Sequence, residues 1–451
     1  MTNGLNLREL ALEILLEAEK NGAYPNVLLK QTLDKYLYVE KQERAFLTRL
    51  VEGCVERKVT LEYYINSVSK TPVNKMKPVI RCIMRMAAYQ IFYMDGVPDR
   101  AACNEAVKLV QQRGFHTLKG FVNGVLRNLS RQKGEIAMPD EKKEPVKALS
   151  VQYSMPEWLV EKIIKEYGIQ NAKNMFDSLY ENVGSTSIRV NNSKISTEEC
   201  AELLKREGVH VEKGAYVENA LEISGYDSLT LLESFQKGYF QVQDVSSMLV
   251  GLAAGPEEGD TIIDVCAAPG GKSIHVADLL NGTGHVEARD LTDYKVGLIE
   301  ENIARCGFSN MSAKKADALI LEKDAYETAD VVIADLPCSG LGVLKKKSDI
   351  KYRMSQSQIE ELTDLQREIL KNAVTYVKKG GTLIYSTCTI TKEENNQQVD
   401  WILENLPLQL VSLADCMGEE ILKNTEREGV LQLLPGREKT DGFFLAKFRK
   451  V

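Results

Sequence analysis

No run of about 18 apolar residues occurs in this 451-residue chain, so a membrane-spanning helix is not expected. The opening MTNGLNLREL lacks a charged stretch followed by an apolar core, which argues against a secretory signal. Paired cysteines are missing too. The nine cysteines are scattered, none in a CxxC arrangement, and the four histidines fall at no zinc-ligand spacing. A disulfide framework and a structural metal site are therefore not expected, and reduced thiols are. No internal repeat with a period of roughly 20 to 50 residues and no low-complexity tract is evident. Together these absences leave a soluble, cytoplasmic protein of about two to four domains, with no membrane, no metal and no obligate protein partner.

Charge is unevenly spread. The formal net charge of −7 argues against a surface coated for nucleic acid, yet residues 1–133 carry 21 Lys and Arg against 13 Asp and Glu. Within them, residues 70–133 hold 12 basic and 3 acidic side chains. A basic module attached to an acidic one is the expectation.

Residues 5–133 show helical periodicity throughout. In LNLRELALEILLEAEKNG, Asn6 and Glu9 form a candidate capping box and Gly22 a stop. Comparable stretches follow, so this part is read as an all-α bundle. GEIAMPDEKKEPVK begins an expected linker, residues 134–148. Short strands (TSIRVN, YFQVQD) and helices alternate over 149–247, predicting a small α/β module. From 248 to 451 the apolar strands TIIDV, GHVEARD, MSAKKAD, DVVIAD and GTLIYS alternate with helical stretches, predicting a parallel, doubly wound sheet with its ligand beyond the strands' carboxyl ends.

The loop after the first of these strands reads DVCAAPGGKS, Asp264 to Ser273. A P-loop would need glycine where Cys266 stands, and a dinucleotide site would need GxGxxG. A nucleoside with an amino-acid tail and a sulfonium charge fits better. Asp264, Asp290, Asp317 and Asp335 end successive strands, a set that suits ribose hydroxyls, an amino group and a cation, and would repel a triphosphate. Asp290 stands 20 residues after Gly270, the spacing of a ribose acceptor. S-adenosylmethionine is the expected cofactor.

DLPCSGLG and STCT then deliver Cys338 and Cys388 to the same edge. Two thiols and the Asp335 carboxylate suit methylation of a pyrimidine at C5, because that carbon becomes nucleophilic only after a thiolate adds at C6.

On DVCAAPGGKS, DLPCSGLG, YSTCTITKEEN, FQVQDVSS and SIRVN the chain resembles the RNA cytosine-C5 methyltransferases of the RsmB (Sun/Fmu) type. MAAYQIFYM, NEAVKLVQQRG and KGFVNGVLRN resemble the NusB RNA-binding fold. The resemblance implies an all-α NusB-like bundle, a small α/β module and a C-terminal α/β Rossmann-like S-adenosylmethionine-dependent methyltransferase domain. It further implies that Cys266, Ala267, Ala268, Pro269, Gly270, Gly271, Lys272, Asp290, Asp317 and Asp335 hold the cofactor. Asp335 would also contact the base, Cys388 would be the nucleophile, and Cys338 would assist product release. The implied partner is 16S rRNA, at a cytosine of the 967 type. In the following LKKKSDIKY, Lys345, Lys346, Lys347 and Lys351 are expected to meet RNA phosphates. A decayed enzyme acting only as an RNA-binding or antitermination factor is disfavoured by the intact motifs. A DNA methyltransferase is disfavoured by the absence of Gly-Pro-Pro-Cys and Glu-Asn-Val signatures.

Overall fold

The structure, a computed structural model, describes residues 5–36, 38–181, 184–425 and 427–451; residues 1–4 and 37 of the expected helical domain 1–133, 182–183 of the expected α/β module and 426 of the expected catalytic domain lie outside these. The chain divides into two compact units. One comprises residues up to Lys173 together with Lys346–Arg353, the other Asn174–Lys345 together with Met354–Val451.

The first unit is helical. Its bundle consists of α1 (Leu7–Asn21), α2 (Pro25–Lys35), α3 (Lys41–Glu56), α4 (Lys58–Val68), α5 (Pro78–Tyr93), α6 (Asp99–Gln112) and α7 (Lys119–Arg131). The Asn6 side chain caps α1 by accepting from Arg8 N and Glu9 N, and Gly22 ends the helix at φ 67°. Helix α5 is apolar on nearly every side and lies in the core, where Ile80, Ile83, Met84, Ala87, Ala88 and Ile91 are almost fully enclosed. Its one buried cation, Arg85, is matched by carboxylates: Glu19 lies 2.6 Å from it and Glu62 takes its second nitrogen.

Two further helices, α8 (Pro145–Tyr153) and α9 (Glu157–Tyr167), group with this unit. The reason is local. Thr60 Oγ1 donates to Val151 O at 2.6 Å and Val59 N to Ser154 Oγ at 2.9 Å, fastening α8 to α4. The expected linker likewise gives up its last residues to α8, whose Pro145 occupies the first turn.

In the second unit a small antiparallel sheet has the order β2-β3-β1-β4, formed by β1 (Thr186–Val190), β2 (His210–Lys213), β3 (Ala220–Ser224) and β4 (Phe240–Val242). The larger sheet runs β10-β12-β9-β8-β5-β6-β7, with β11 paired to β12. Its strands are β5 (Thr261–Asp264), β6 (His285–Asp290), β7 (Met311–Lys315), β8 (Ala329–Asp335), β9 (Val377–Thr387), β10 (Leu408–Leu410), β11 (Val430–Leu433) and β12 (Phe443–Lys450). The pairs β5–β6, β6–β7, β5–β8 and β8–β9 are parallel. The sheet is not parallel throughout, however: β12 lies antiparallel on β9, and β10 and β11 antiparallel on β12.

Side chains alternate across this sheet. Val331, Ile333 and Ile384 pack into one core with Met248, Ile274 and Leu445, while Val332, Ala334, Leu383 and Tyr385 pack into the other with Ile369, Leu370 and Phe444. After β7 the chain returns across the sheet to place β8 on the opposite side of β5. The strand order therefore reverses between β5 and β8, the place where such sheets open a ligand crevice.

Candidate active site

The crevice is built from the β5 turn outward. Asp264 ends β5 fully buried and accepts Ser273 Oγ at 2.6 Å. Burial pushes its carboxyl up to about 7, against the pull of that hydroxyl. The turn itself folds on backbone contacts. Gly270 N donates to Ala267 O at 2.7 Å, Ala267 N to Arg289 O at 2.8 Å, and Ala268 N to Asp290 Oδ2 at 3.0 Å. Gly270 has φ 101°, a backbone conformation that L side chains rarely adopt, so glycine lets the chain enter the helix Gly271–Leu279 without strain.

Asp290, at the end of β6, also accepts Leu291 N at 2.7 Å and Lys295 Nζ at 2.9 Å. Asp317, half-buried beyond β7, accepts Leu319 N at 3.0 Å. Thus Asp264, Cys266–Lys272, Asp290 and Asp317 lie along one edge of one sheet. The acidic rim and the glycine turn fit a cofactor carrying ribose hydroxyls and a positive sulfonium. Of these residues, Asp290 and Asp317 have the chemistry to hold hydroxyls, and the Cys266–Lys272 backbone to approach the rest of the molecule.

Strands β8 and β9 complete the site as direct neighbours, with Asp335 opposite Ser386. Ser386 Oγ donates to Asp335 Oδ1 at 2.7 Å, and Lys272 Nζ lies 2.7 Å from Asp335 Oδ2. Burial works to lower the Lys272 ammonium, but the pairing with Asp335 outweighs it and the group is held above its ordinary value; Cys388 acts on it in the same direction. Cys338 Sγ and Cys388 Sγ are 3.2 Å apart. The Cys338 thiol is held well above the usual range, first by its contact with Cys388, then by burial and by the charges of Glu394 and Asp335.

The two thiol loops are also tied by main chain: Gly342 N donates to Cys388 O at 3.0 Å and Gly442 N to Gly342 O at 2.9 Å. A Cβ on Gly342 would fall 2.0 Å from Gly442 O, so only glycine permits this approach. The sequence puts Lys272 in the cofactor loop but shows neither its ion pair with Asp335 nor the hydrogen bonds of Ser273 and Ser386. Their signal, a hydroxyl or ammonium one turn or one strand away from a strand-end Asp, exists only once the strands are paired. Among the described residues, no group of three or more His, Cys, Asp and Glu is arranged to hold a metal ion.

The basic stretch after the Cys338 loop behaves differently from expectation at one position. Lys345, Lys346 and Lys347 are exposed. Lys351 is not: it is 2% exposed, and its Nζ donates to Glu56 O at 3.0 Å within the helical unit. Burial lowers that ammonium to about 7. Its neighbours are held in the same way, Tyr352 OH on Ser154 O at 2.8 Å and Arg353 on Gly22 O at 2.5 Å. Lys351 therefore does not make the expected phosphate contact, because a buried amine bonded to a carbonyl does not reach RNA.

The chain is similar to known proteins along nearly its whole length. A family model described as 16S rRNA methyltransferase RsmB/F matches residues 252–449, the NusB family matches 5–131, and an RsmF/B-like ferredoxin-like domain matches 155–229. The fold and crevice define an S-adenosylmethionine-dependent methyltransferase carrying a NusB-like helical domain. The probable ribosomal RNA small subunit methyltransferase B of Bacillus subtilis (strain 168) is 37% identical over 448 residues, covering 99% of each chain. A solved structure of PH0851 superposes with a TM-score of 0.82 at 26% identity over 99% of this chain and 100% of that one. The structure of NSun6 from Pyrococcus horikoshii with SFG does so with a TM-score of 0.60 at 26% identity over 66% and 98%. The chain belongs to the RsmB/F family of 16S rRNA methyltransferases. Among the described residues, no helix is long and apolar enough to cross a membrane.

Proposed function

We propose that this protein methylates C5 of a specific cytosine in 16S rRNA through a covalent Cys388–C6 adduct, with the cytosine-967 type of position as the target. The observation that carries the reading is the convergence of Cys388, Cys338 and the Lys272–Asp335 pair at the β8 and β9 ends. S-adenosylmethionine supplies the electrophilic methyl group. Lys272 stabilises the Cys388 thiolate, which adds to C6 and moves electron density onto C5. Asp335, fixed by Ser386, accepts a hydrogen bond from the cytosine amino group and orients the ring. After transfer, the C5 proton leaves to a base, the C6–Sγ bond breaks, and the ring regains its double bond. Cys338, 3.2 Å from the departing sulfur, assists this release.

RNA is held chiefly through phosphates. In the helical unit an open groove of about 620 Å³ between α6 and α7 is lined by Lys108, Lys119, Arg127, Asn104 and Asn123, with Glu105 its one acid. Glu105 is already taken by Lys108 at 2.7 Å. This groove and exposed Lys345–Lys347 are the surfaces the reading assigns to rRNA. The flipped or unpaired cytosine enters the crevice.

The test is a pair of substitutions assayed with labelled cofactor and 16S rRNA. Cys388→Ala is expected to abolish transfer, and Cys338→Ala to accumulate protein bound covalently to RNA. The reverse pattern overturns the assignment of the two thiols, and no transfer by the unmodified protein overturns the reading as a whole.

A further inference from the structure

Beneath the two thiol loops lies a polar network that no step above uses. Its centre is Glu394, fully buried. Glu394 Oε1 accepts Ser339 N at 2.8 Å and Gln366 Nε2 at 3.2 Å, and Oε2 accepts Ser339 Oγ at 2.5 Å and Thr391 Oγ1 at 2.6 Å. Every one of these partners donates, so the carboxylate oxygens are filled as acceptors. Ser339 directly follows Cys338, and Thr391 lies three residues after Cys388. Ser339 Oγ also meets Thr389 Oγ1, the residue next to Cys388, at 2.6 Å. The carboxylate is itself braced. Tyr385 OH donates to the Glu394 carbonyl at 2.5 Å, and Gln366 Nε2 reaches Pro337 O at 3.0 Å as well.

We infer that Glu394 is a positioning residue that clamps the Cys338 loop to the Cys388 loop and so sets the spacing of the two thiols. The inference rests on the methyl-transfer reading for its effect on rate, though not for its geometry. Three features support it. The residues flanking both thiols hang from one carboxylate. The network is buried, where hydrogen bonds to a charged acceptor are strong and a missing partner costs most. The Cys338 thiol, raised first by its contact with Cys388 and by burial, is raised further by Glu394, so the carboxylate acts on the thiol beside it as well as on the loops. Replacing the carboxylate by an amide puts two hydrogens where donors already point, so Ser339 or Thr391 must turn away and the loops separate. Misplacement of a reacting group by about 1 Å costs on the order of 100-fold in rate.

The experiment compares the full-length protein with Glu394→Gln, Ser339→Ala and Thr391→Val. The measurements are thermal stability, affinity for S-adenosylhomocysteine, kcat and KM on 16S rRNA, and the rate at which diamide links Cys338 to Cys388. In that linkage the Sγ–Sγ bond forms as diamide takes up the two thiol hydrogens; peptide mapping reads it. Glu394→Gln is expected to lower kcat on the order of 100-fold and to slow the linkage on the order of tenfold, with affinity for the nucleoside and KM within about twofold. The two hydroxyl deletions are expected to give smaller losses in the same two readouts. Unchanged kcat and linkage in Glu394→Gln overturn the inference. So do hydroxyl deletions that leave both readouts untouched, and these decide the matter if Glu394→Gln fails to fold. An unmodified protein that links its thiols readily but methylates no rRNA refutes the methyl-transfer reading instead, and the linkage rates still judge Glu394.

Discussion

Replacing Asp264 by Asn should change how the stability of the catalytic unit depends on pH. The Asp264 carboxyl is enclosed at the end of β5, and burial raises it from the ordinary 3.8 to about 7. A raised acid favours the folded state in its protonated form. Its contribution is complete below pH 3.8 and is lost as the pH rises through about 7. Between pH 5 and pH 8 the loss amounts to at most about 3 kcal/mol, since ionisation of the buried group lags behind that of the unfolded chain over about two pH units of that range. For a unit of this size that corresponds to several degrees in Tm. Asn keeps an oxygen for Ser273 and removes the proton equilibrium. Calorimetry of both proteins at constant ionic strength, without cofactor, should show the unmodified protein losing stability from pH 5 to pH 8 relative to Asp264→Asn. Parallel profiles would refute the reasoning.

Charge reversal of the helical groove by Lys119→Glu with Arg127→Glu should weaken binding to 16S rRNA and flatten its salt dependence, by roughly one unit of slope per lost phosphate contact; an unaltered slope removes the groove from the account. Lys351→Met should leave RNA affinity unchanged, because the ammonium it removes is bonded to Glu56 O rather than exposed, and a loss of affinity without a loss of stability would restore Lys351 as a contact. Gly270→Ala should strain the turn at φ 101° by about 1 to 3 kcal/mol and lower affinity for S-adenosylhomocysteine with little effect on the helical unit; calorimetric titration checks it.

Much of this architecture was legible in the sequence because its signals are local. The glycine turn after β5, the Asp residues ending successive strands and the two cysteine loops each occupy a short stretch, and a parallel sheet brings strand ends together without further information. The helices of the bundle announced themselves by period and cap. What escaped depends on partners far along the chain. Strand β12 arrives from the last residues to lie antiparallel on β9, a pairing that no alternation within FFLAKFRK reveals. Strands β2 and β3 are short, and β2 is largely exposed, so neither shows a clear two-residue period. Lys351 reads as one more lysine in a basic loop, and only tertiary packing shows its ammonium on the end of α3. The Lys272–Asp335 pair and the Glu394 clamp are likewise products of strand pairing, joining residues 63 and 55 positions from their partners.

The central claim is that the Cys388 thiolate bonds to the cytosine that is methylated. RNA carrying 5-fluorocytosine at the target position cannot release a proton from C5, so the adduct should persist in the presence of cofactor. Digestion and mass spectrometry of the complex should find the nucleotide, already methylated, on the peptide containing Cys388. A stable adduct on Cys338, or methylated RNA with no adduct on either thiol, would contradict the account.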